Sequence, residues 1–192
     1  MRPIATPTLA FFADLSVQVA TPQEVGSTAY GQRRLIPILG GSARGDGWTA
    51  RVLPGGADAQ LVVNATLTEL DARYSLETDG GDLIYVHNRA IRTGPPELMA
   101  RLVRGEPVDP AQIYFRCLPH FETAAPALQW INERRFVGRR WRCGFSRWVE
   151  AGAGRQWISA SFWPLALIQS ALEAINKIAN ESFLHHRKFI AQ

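Results

Sequence analysis

The sequence predicts an all-β fold: a small antiparallel β-barrel with one short inserted helix and an atypical helical tail at the C-terminus. Apolar and polar residues alternate from Leu9 to Val19, which is the pattern of a half-buried strand. Short extended runs then follow one another, separated by glycine-rich turns. This spacing favours a barrel or sandwich over a doubly wound sheet. With 46% apolar residues, the 192-residue chain can bury one core.

The remaining elements are expected in order along the chain. Extended runs cover residues 33–39, 48–53, 58–64, 69–78, 82–92 and 112–117, with Gly40-Gly41 and Pro54-Gly55-Gly56 ending the first two. Asp79-Gly80-Gly81 predicts a tight hairpin, because Asp and Gly accept the positive φ that such turns require. Prolines at 95 and 96 and a glycine at 105 predict one helix over 97–104. Residues 127–132 predict a helical turn, and residues 135–138 begin the last strand.

The composition changes near Gly138, which predicts a barrel domain over residues 1–138 and a basic, Trp-rich tail over 139–192. The net charge is −1 before this glycine and +5 from it onward, and four of the six tryptophans lie in the tail. Apolar residues at helical spacing predict an amphipathic helix at about 164–184. That helix would pack on the barrel or build a homo-oligomer. The tail is either a genuine extension or a foreign one produced by a frameshift or fusion.

Several classes of protein are excluded by what the sequence lacks. Two cysteines, Cys117 and Cys143, cannot make a disulfide scaffold or a four-thiolate zinc site, so we expect a reducing, cytoplasmic location. No run reaches the roughly 18 apolar residues of a membrane span, and the alternation in the first strand argues against a cleaved leader. No zinc-protease, nucleophile-elbow or phosphate-loop motif occurs. We expect no cofactor, no metal and no membrane partner.

Arginines alternate with aromatic residues between Arg139 and Trp148. This pattern is similar to a stacking surface for single-stranded nucleic acid. The barrel itself is nearly neutral, however, and a nucleic-acid interface usually needs a basic surface. We therefore expect no nucleic-acid partner.

The predicted hairpin places three polar residues on an apolar sheet face. With a loop at 79–81, Leu76 faces Ile84, Tyr74 faces Val86 and Ala72 faces Asn88. The opposite face carries charged residues, including Arg73 and His87, and is typical of a solvated surface. The apolar face therefore holds the more informative polar groups, which are Tyr74, Asn88 and Arg92.

Two interpretations of Tyr74, Asn88 and Arg92 remain open, because a buried polar group needs a partner. The three side chains would form an internally satisfied network that braces one end of the barrel. Alternatively, they would line a cavity in which Arg92 meets an anion or carbonyl group while the other two orient it.

A series of segments carries a resemblance. In order, the segments are Leu53-Pro54-Gly55-Gly56-Ala57-Asp58, Leu70-Asp71-Ala72-Arg73-Tyr74, Asp79-Gly80-Gly81 with Ile84-Tyr85-Val86, Gly94-Pro95-Pro96-Glu97, and Tyr114-Phe115-Arg116 with Phe121-Glu122-Thr123. Over about residues 8–138 the chain resembles the bacterial family called domain of unknown function 3237. The resemblance implies a small antiparallel β-barrel of largely unassigned activity. From Arg139 onward the chain departs from the family's short closing strand.

Further candidate residues come mainly through this resemblance. Asp58 at the end of its turn and Glu122 after a strand are candidate general bases. Arg33, beside Arg34, is a candidate anion contact, although a solvated pair is the ordinary interpretation. His120 has no second ligand at metal spacing in the sequence.

Two classes of function follow from these candidates. The first is a protein that binds an anionic or carbonyl-bearing organic molecule through Arg92, Tyr74 and Asn88. The second is a cofactor-independent isomerase, cyclase or lyase in the same cavity, where Glu122 or Asp58 moves a proton and Arg92 stabilises oxyanion charge.

Overall fold

The computed structural model describes residues 8–142 and 145–151, most of which lie in strands. The strands in this part of the chain are β1 (Leu9–Val19), β2 (Gln23–Thr28), β3 (Gly31–Gly45), β4 (Thr49–Val52), β5 (Ala57–Asn64), β6 (Leu67–Thr78), β7 (Leu83–Thr93), β8 (Tyr114–Thr123), β9 (Arg135–Arg142) and β10 (Phe145–Ala151). One α-helix, α1 (Pro96–Val103), follows β7 at the expected place. Short 3-10 segments cover Pro110–Gln112 and Pro126–Glu133.

The strands close into an antiparallel barrel, which confirms the predicted fold class. Neighbouring strands follow the order β1-β10-β9-β8-β7-β6-β4-β3, and β3 pairs back with β1. β5 also lies between β3 and β6, so β4 and β5 together occupy one of eight positions around the barrel. β2, which the sequence analysis did not predict, pairs with β3 and with no other strand among the described residues.

β3 corrects one predicted turn. The sequence predicts that this strand ends at Gly40-Gly41, but it runs on to Gly45. Gly41 has a φ of +138°, and a Cβ there would lie 2.0 Å from the carbonyl oxygen of Ser16 in β1. The glycine therefore permits a close approach of two strands rather than a chain reversal.

The barrel also continues past the boundary expected at Gly138. β9 crosses this glycine, and β10 lies between β9 and β1, where it closes the sheet. Arg147 of β10 donates from Nε and Nη2 to the two carboxylate oxygens of Asp14 in β1, at 2.8 and 2.9 Å. Residues 139–142 and 145–151 therefore belong to the barrel, and Trp148, which is only 1% exposed, cannot act as an exposed stacking surface.

An aromatic cluster forms the centre of the core. Phe12 lies 4.5 Å from Phe136 between ring centroids, and Phe121 lies 4.8 Å from Phe136 and 5.0 Å from Trp148. All four side chains are at most 4% exposed. Such contacts stabilise the fold through apolar burial and ring geometry together.

The predicted tail helix at about 164–184, and the homo-oligomer that it would build, lie outside the described residues. Within the described residues, no helix is both long enough and apolar enough to span a membrane.

Candidate functional site

The β6–β7 hairpin has the predicted register. Leu76 pairs with Ile84, Tyr74 with Val86 and Ala72 with Asn88. Tyr74, Asn88 and Arg92 consequently share the inner face of the barrel. Tyr74 and Arg92 are each 5% exposed.

Cross-strand pairing extends this inner face into layers around the barrel. Arg92 shares its layer with Thr68 on β6 and Phe115 on β8. Asn88 shares a deeper layer with Ala72, Asp58 and Ile36. The layer between them contains Arg34, Gln60, Leu70, Ala90 and Cys117. We call the polar members of these layers, together with Tyr74, the polar interior: Arg34, Asp58, Gln60, Thr68, Tyr74, Asn88 and Arg92.

Two members of the polar interior hold buried oxygen atoms without a hydrogen-bond partner among the described residues. These atoms are Thr68 Oγ1 and Asn88 Oδ1. Thr68 is 0% exposed and lies directly across from Arg92. An unsatisfied buried polar atom costs about 1–3 kcal/mol, so a molecule that formed hydrogen bonds with these two atoms would recover part of that cost.

Asp58, predicted as a candidate base, lies inside the barrel. Its Oδ2 accepts a hydrogen bond from Gln60 Nε2 at 2.7 Å. Burial raises the pKa of Tyr74, and the nearby Cys117 and Asp58 raise it further. Gly56 explains the close approach, because a Cβ there would lie 2.5 Å from Tyr74 Cβ. The glycine-rich turn thus places Asp58 beside β6.

Cys117 lies at the centre of the middle layer and is fully buried. Burial raises the pKa of its thiol to about 12, and a hydrogen bond from the Asn88 side chain offsets this only in part. Because the thiolate is the reactive form, we expect Cys117 in the folded protein to resist iodoacetamide between about pH 7 and 9.

Mass spectrometry of the Cys143→Ser variant measures this protection, since Cys117 is then the only thiol in the chain. Alkylation is expected only after addition of denaturant. Rapid modification of the folded variant would contradict the buried position of Cys117.

The neighbouring arginines Arg33 and Arg34 lie on opposite faces of β3. Arg33, the predicted anion contact, precedes the inward-pointing Arg34 in β3 and therefore lies on the outer face of the barrel. Arg34 points inward and is 4% exposed. Its Nε donates to Glu24 Oε1 at 2.8 Å, and its Nη2 donates to the carbonyl oxygen of Val103 at 3.0 Å. Arg34 therefore ties the end of α1 to the barrel.

Glu122, predicted as a base in the cavity, lies on the outer face, so the structure does not bring it together with the polar interior. It pairs with Tyr85 on the outer face, and its side chain is 64% exposed. Its neighbour Phe121 takes the inward position. An exposed carboxylate cannot share a substrate with Arg92 through the wall of the barrel.

The outer face brings together two histidines that are distant in sequence. His87 and His120 are cross-strand partners, and His87 Nε2 lies 3.0 Å from Asp71 Oδ1. Partial burial opposes ionisation of Asp71, but hydrogen bonds from Arg73 and His87 hold its pKa below the usual range. No three His, Cys, Asp or Glu side chains in the described ranges are grouped to hold a metal ion.

Comparisons with known proteins agree with the barrel and extend it beyond Gly138. A UPF0311 protein of Rhodopseudomonas palustris is 47% identical over 135 residues, which are 69% of this chain and 88% of the relative. A crystal structure of a conserved protein of unknown function from the same organism has a TM-score of 0.71 at 41% identity, covering 77% of this chain and 97% of that one. A β-barrel-like protein from Acinetobacter baumannii has a TM-score of 0.65 at 37% identity, covering 79% and 98%.

The family model described as "Protein of unknown function (DUF3237)" matches residues 7–151. This range includes β9 and β10, so the family pattern runs through the strand that closes the barrel. The chain belongs to the DUF3237 family.

Proposed function

We propose that the polar interior binds a small organic molecule with a carboxylate or carbonyl group. The observation that carries this proposal is the pair of unsatisfied oxygens, Thr68 Oγ1 and Asn88 Oδ1, on the same inner face as Arg92. An arginine is charged at any pH that a cell reaches, and it binds carboxylates and carbonyls through directed hydrogen bonds.

The positions of these groups suggest the size and orientation of the ligand. Arg92 and Asn88 are four residues apart on one strand, so their Cα atoms are separated by roughly 13 Å. In the layer between them, β7 carries the small side chain of Ala90. The ligand would place its acidic or carbonyl oxygen at Arg92 and Thr68. A hydroxyl or N–H group at its other end would donate to Asn88 Oδ1.

The exposure of the residues that share a layer with Arg92 suggests where a ligand would enter from solvent. Its other members Gln32, Val62 and Phe115 are partly exposed, whereas Cys117 in the next layer is buried. A ligand would therefore enter at the end of the barrel near Arg92. Cys117 is a free thiol, which fits the proposed cytoplasmic location.

Proton transfer in the same interior is a second candidate function, and the position of Asp58 favours it. Asp58 lies inside the barrel, whereas Glu122 lies outside. In an isomerisation, Asp58 would remove a proton from one atom of the substrate and return it to another, while Arg92 stabilised the intermediate oxyanion. Product formation distinguishes this activity from binding alone.

The first test is a thermal-shift screen of aromatic acids, ketones and acyl compounds, because a ligand stabilises the folded state in proportion to occupancy. We expect Arg92→Met to weaken binding of the best compound by roughly 10- to 100-fold, since a charge-assisted hydrogen bond is lost. Arg33→Met removes the same charge from the outer face and should leave the affinity unchanged. Equal effects of the two substitutions would contradict the proposed site.

Thr68→Val separates binding from stability. Removal of an unsatisfied buried hydroxyl should raise the free energy of unfolding by about 1 kcal/mol, measured by urea denaturation, while it weakens binding of the same compound. A variant that is destabilised instead would mean that the hydroxyl has a structural partner. Proton NMR of the incubated compound reports turnover, because the product of an isomerisation has the same mass as its substrate but a different spectrum.

A further inference from the structure

A concave surface lies at the opposite end of the barrel from Arg92. It is a cleft of about 890 Å³ between the β3–β4 loop, the tip of the β6–β7 hairpin, the start of β1 and the 3-10 segment after β8. Thr78 at this cleft and Thr68 beside Arg92 are ten residues apart on β6, or roughly 33 Å along the strand. The cleft is therefore separate from the polar interior.

Aromatic rings form one wall of the cleft. Phe12 lies 5.5 Å from Trp48 and 5.8 Å from Trp130 between ring centroids, with the Trp130 ring nearly perpendicular at 89°. Trp130 is 40% exposed and Trp48 is partly exposed, whereas Phe12 is buried behind them. Trp48 and Trp130 line the cleft and present part of their surface to solvent, so a bound molecule can contact them.

Gly45 holds Trp48 in this wall. A Cβ on Gly45 would lie 2.0 Å from Trp48 Nε1, so the indole lies directly against the glycine backbone. The Gly45 amide donates to the Trp48 carbonyl at 2.9 Å and closes the loop. The ring is thus fixed before any molecule binds, which lowers the entropic cost of recognition.

Three carboxylates contribute to the lining of the cleft. Asp46, Asp79 and Asp82 line it, and the charged residue of opposite sign in the lining is Arg44. Asp79 accepts a hydrogen bond from the Thr49 hydroxyl, and its backbone amide donates to the Thr49 carbonyl at 3.2 Å. The hairpin tip is thereby held against the β3–β4 loop, and the lining has an excess of two negative charges.

We infer that this cleft binds an organic ammonium cation with an aromatic or apolar group attached. Exposed aromatic rings attract a cation through their negative faces, and carboxylates beside them add charge complementarity. The apolar group would contact Trp48 and Trp130 while the ammonium group faces Asp79 and Asp82. The two ends of the barrel would then select ligands of opposite charge.

Titration calorimetry with benzyltrimethylammonium tests this inference on the full chain, with benzyl alcohol and phenylacetate as neutral and anionic controls. We expect saturable binding of the cation alone. Trp130→Ala, Asp79→Asn and Asp82→Asn should each weaken it by about 3- to 30-fold. Glu69→Gln, an exposed carboxylate on the outer face, is the matched control and should change nothing.

Nitrogen-15 labelling of the tryptophans locates the bound cation. The indole signals of Trp48 and Trp130 should shift on titration, while that of Trp148 in the core stays in place. Gly45→Ala should weaken binding without changing any charge, because the methyl group displaces the Trp48 ring. The inference would be overturned if the cation did not bind at concentrations up to about 10 mM or if phenylacetate bound equally well. It would also be overturned if neither aspartate substitution changed the affinity for the cation. Since the probe is a cation, failure here leaves the Arg92 site untouched.

Discussion

A chain that ends at Gly138 is expected not to fold, whereas a chain that ends at Ala151 should unfold cooperatively. The shorter chain loses β10, the strand between β9 and β1. It also loses Trp148 from the core and the Arg147 pair with Asp14. Two strand edges would then stand open, and open edges promote aggregation.

Circular dichroism and size-exclusion chromatography of the two truncated chains measure this difference. The chain that ends at Gly138 should lack a thermal transition or elute as an aggregate. A folded barrel with the same transition midpoint in both chains would show that residues 139–151 are dispensable.

Trp148→Ala is expected to lower the free energy of unfolding by about 3–5 kcal/mol, the usual cost of removing a large buried aromatic side chain. The Trp148 ring is 1% exposed and lies 5.0 Å from Phe121. It also covers Gly138, where a Cβ would lie 2.3 Å from Trp148 Cδ1. No smaller side chain fills this volume.

Urea denaturation measures the loss, with Trp130→Ala as the matched control because that ring is 40% exposed. The control should lose less than half as much free energy. Equal losses in the two variants would argue that β10 does not contribute to the core.

Local signals predicted the elements that depend on neighbouring residues. Asp79-Gly80-Gly81 predicted the β6–β7 register because turn chemistry and strand alternation are both local. The same reasoning did not predict the path of β3. A Gly-Gly pair permits either a turn or a close approach, and the approaching strand at Gly41 is β1, more than twenty residues earlier.

The boundary at Gly138 illustrates a different limit. Arginine and tryptophan become frequent there, and composition alone cannot say whether a tryptophan is exposed. Trp148 is in the core and Arg147 is paired across strands. Only the pairing of β10 with distant β1 reveals that these residues close the barrel.

Part of the candidate site was accessible from the sequence and part was not. Alternation placed Tyr74, Asn88 and Arg92 on the inner face. Every second side chain of β6 points inward, so the same argument places Thr68 there, which the sequence analysis overlooked. Parity along β8 likewise places Phe121 inward and Glu122 outward. The distinction between Arg33 and Arg34 depends instead on the pairing of β3 with β5, for which the sequence has no local signal.

The most direct test of the central claim is the side-chain NMR signal of Arg92 during titration with the compound that stabilises the protein most. Labelling with nitrogen-15 arginine makes each arginine Nε–H group observable. The signal that is missing from the spectrum of the Arg92→Met variant belongs to Arg92. Binding in the polar interior predicts that the Arg92 signal shifts and saturates with the compound, while the Arg33 signal does not move. A compound that binds by calorimetry without shifting the Arg92 signal, or a library in which nothing binds, would contradict the proposed ligand site.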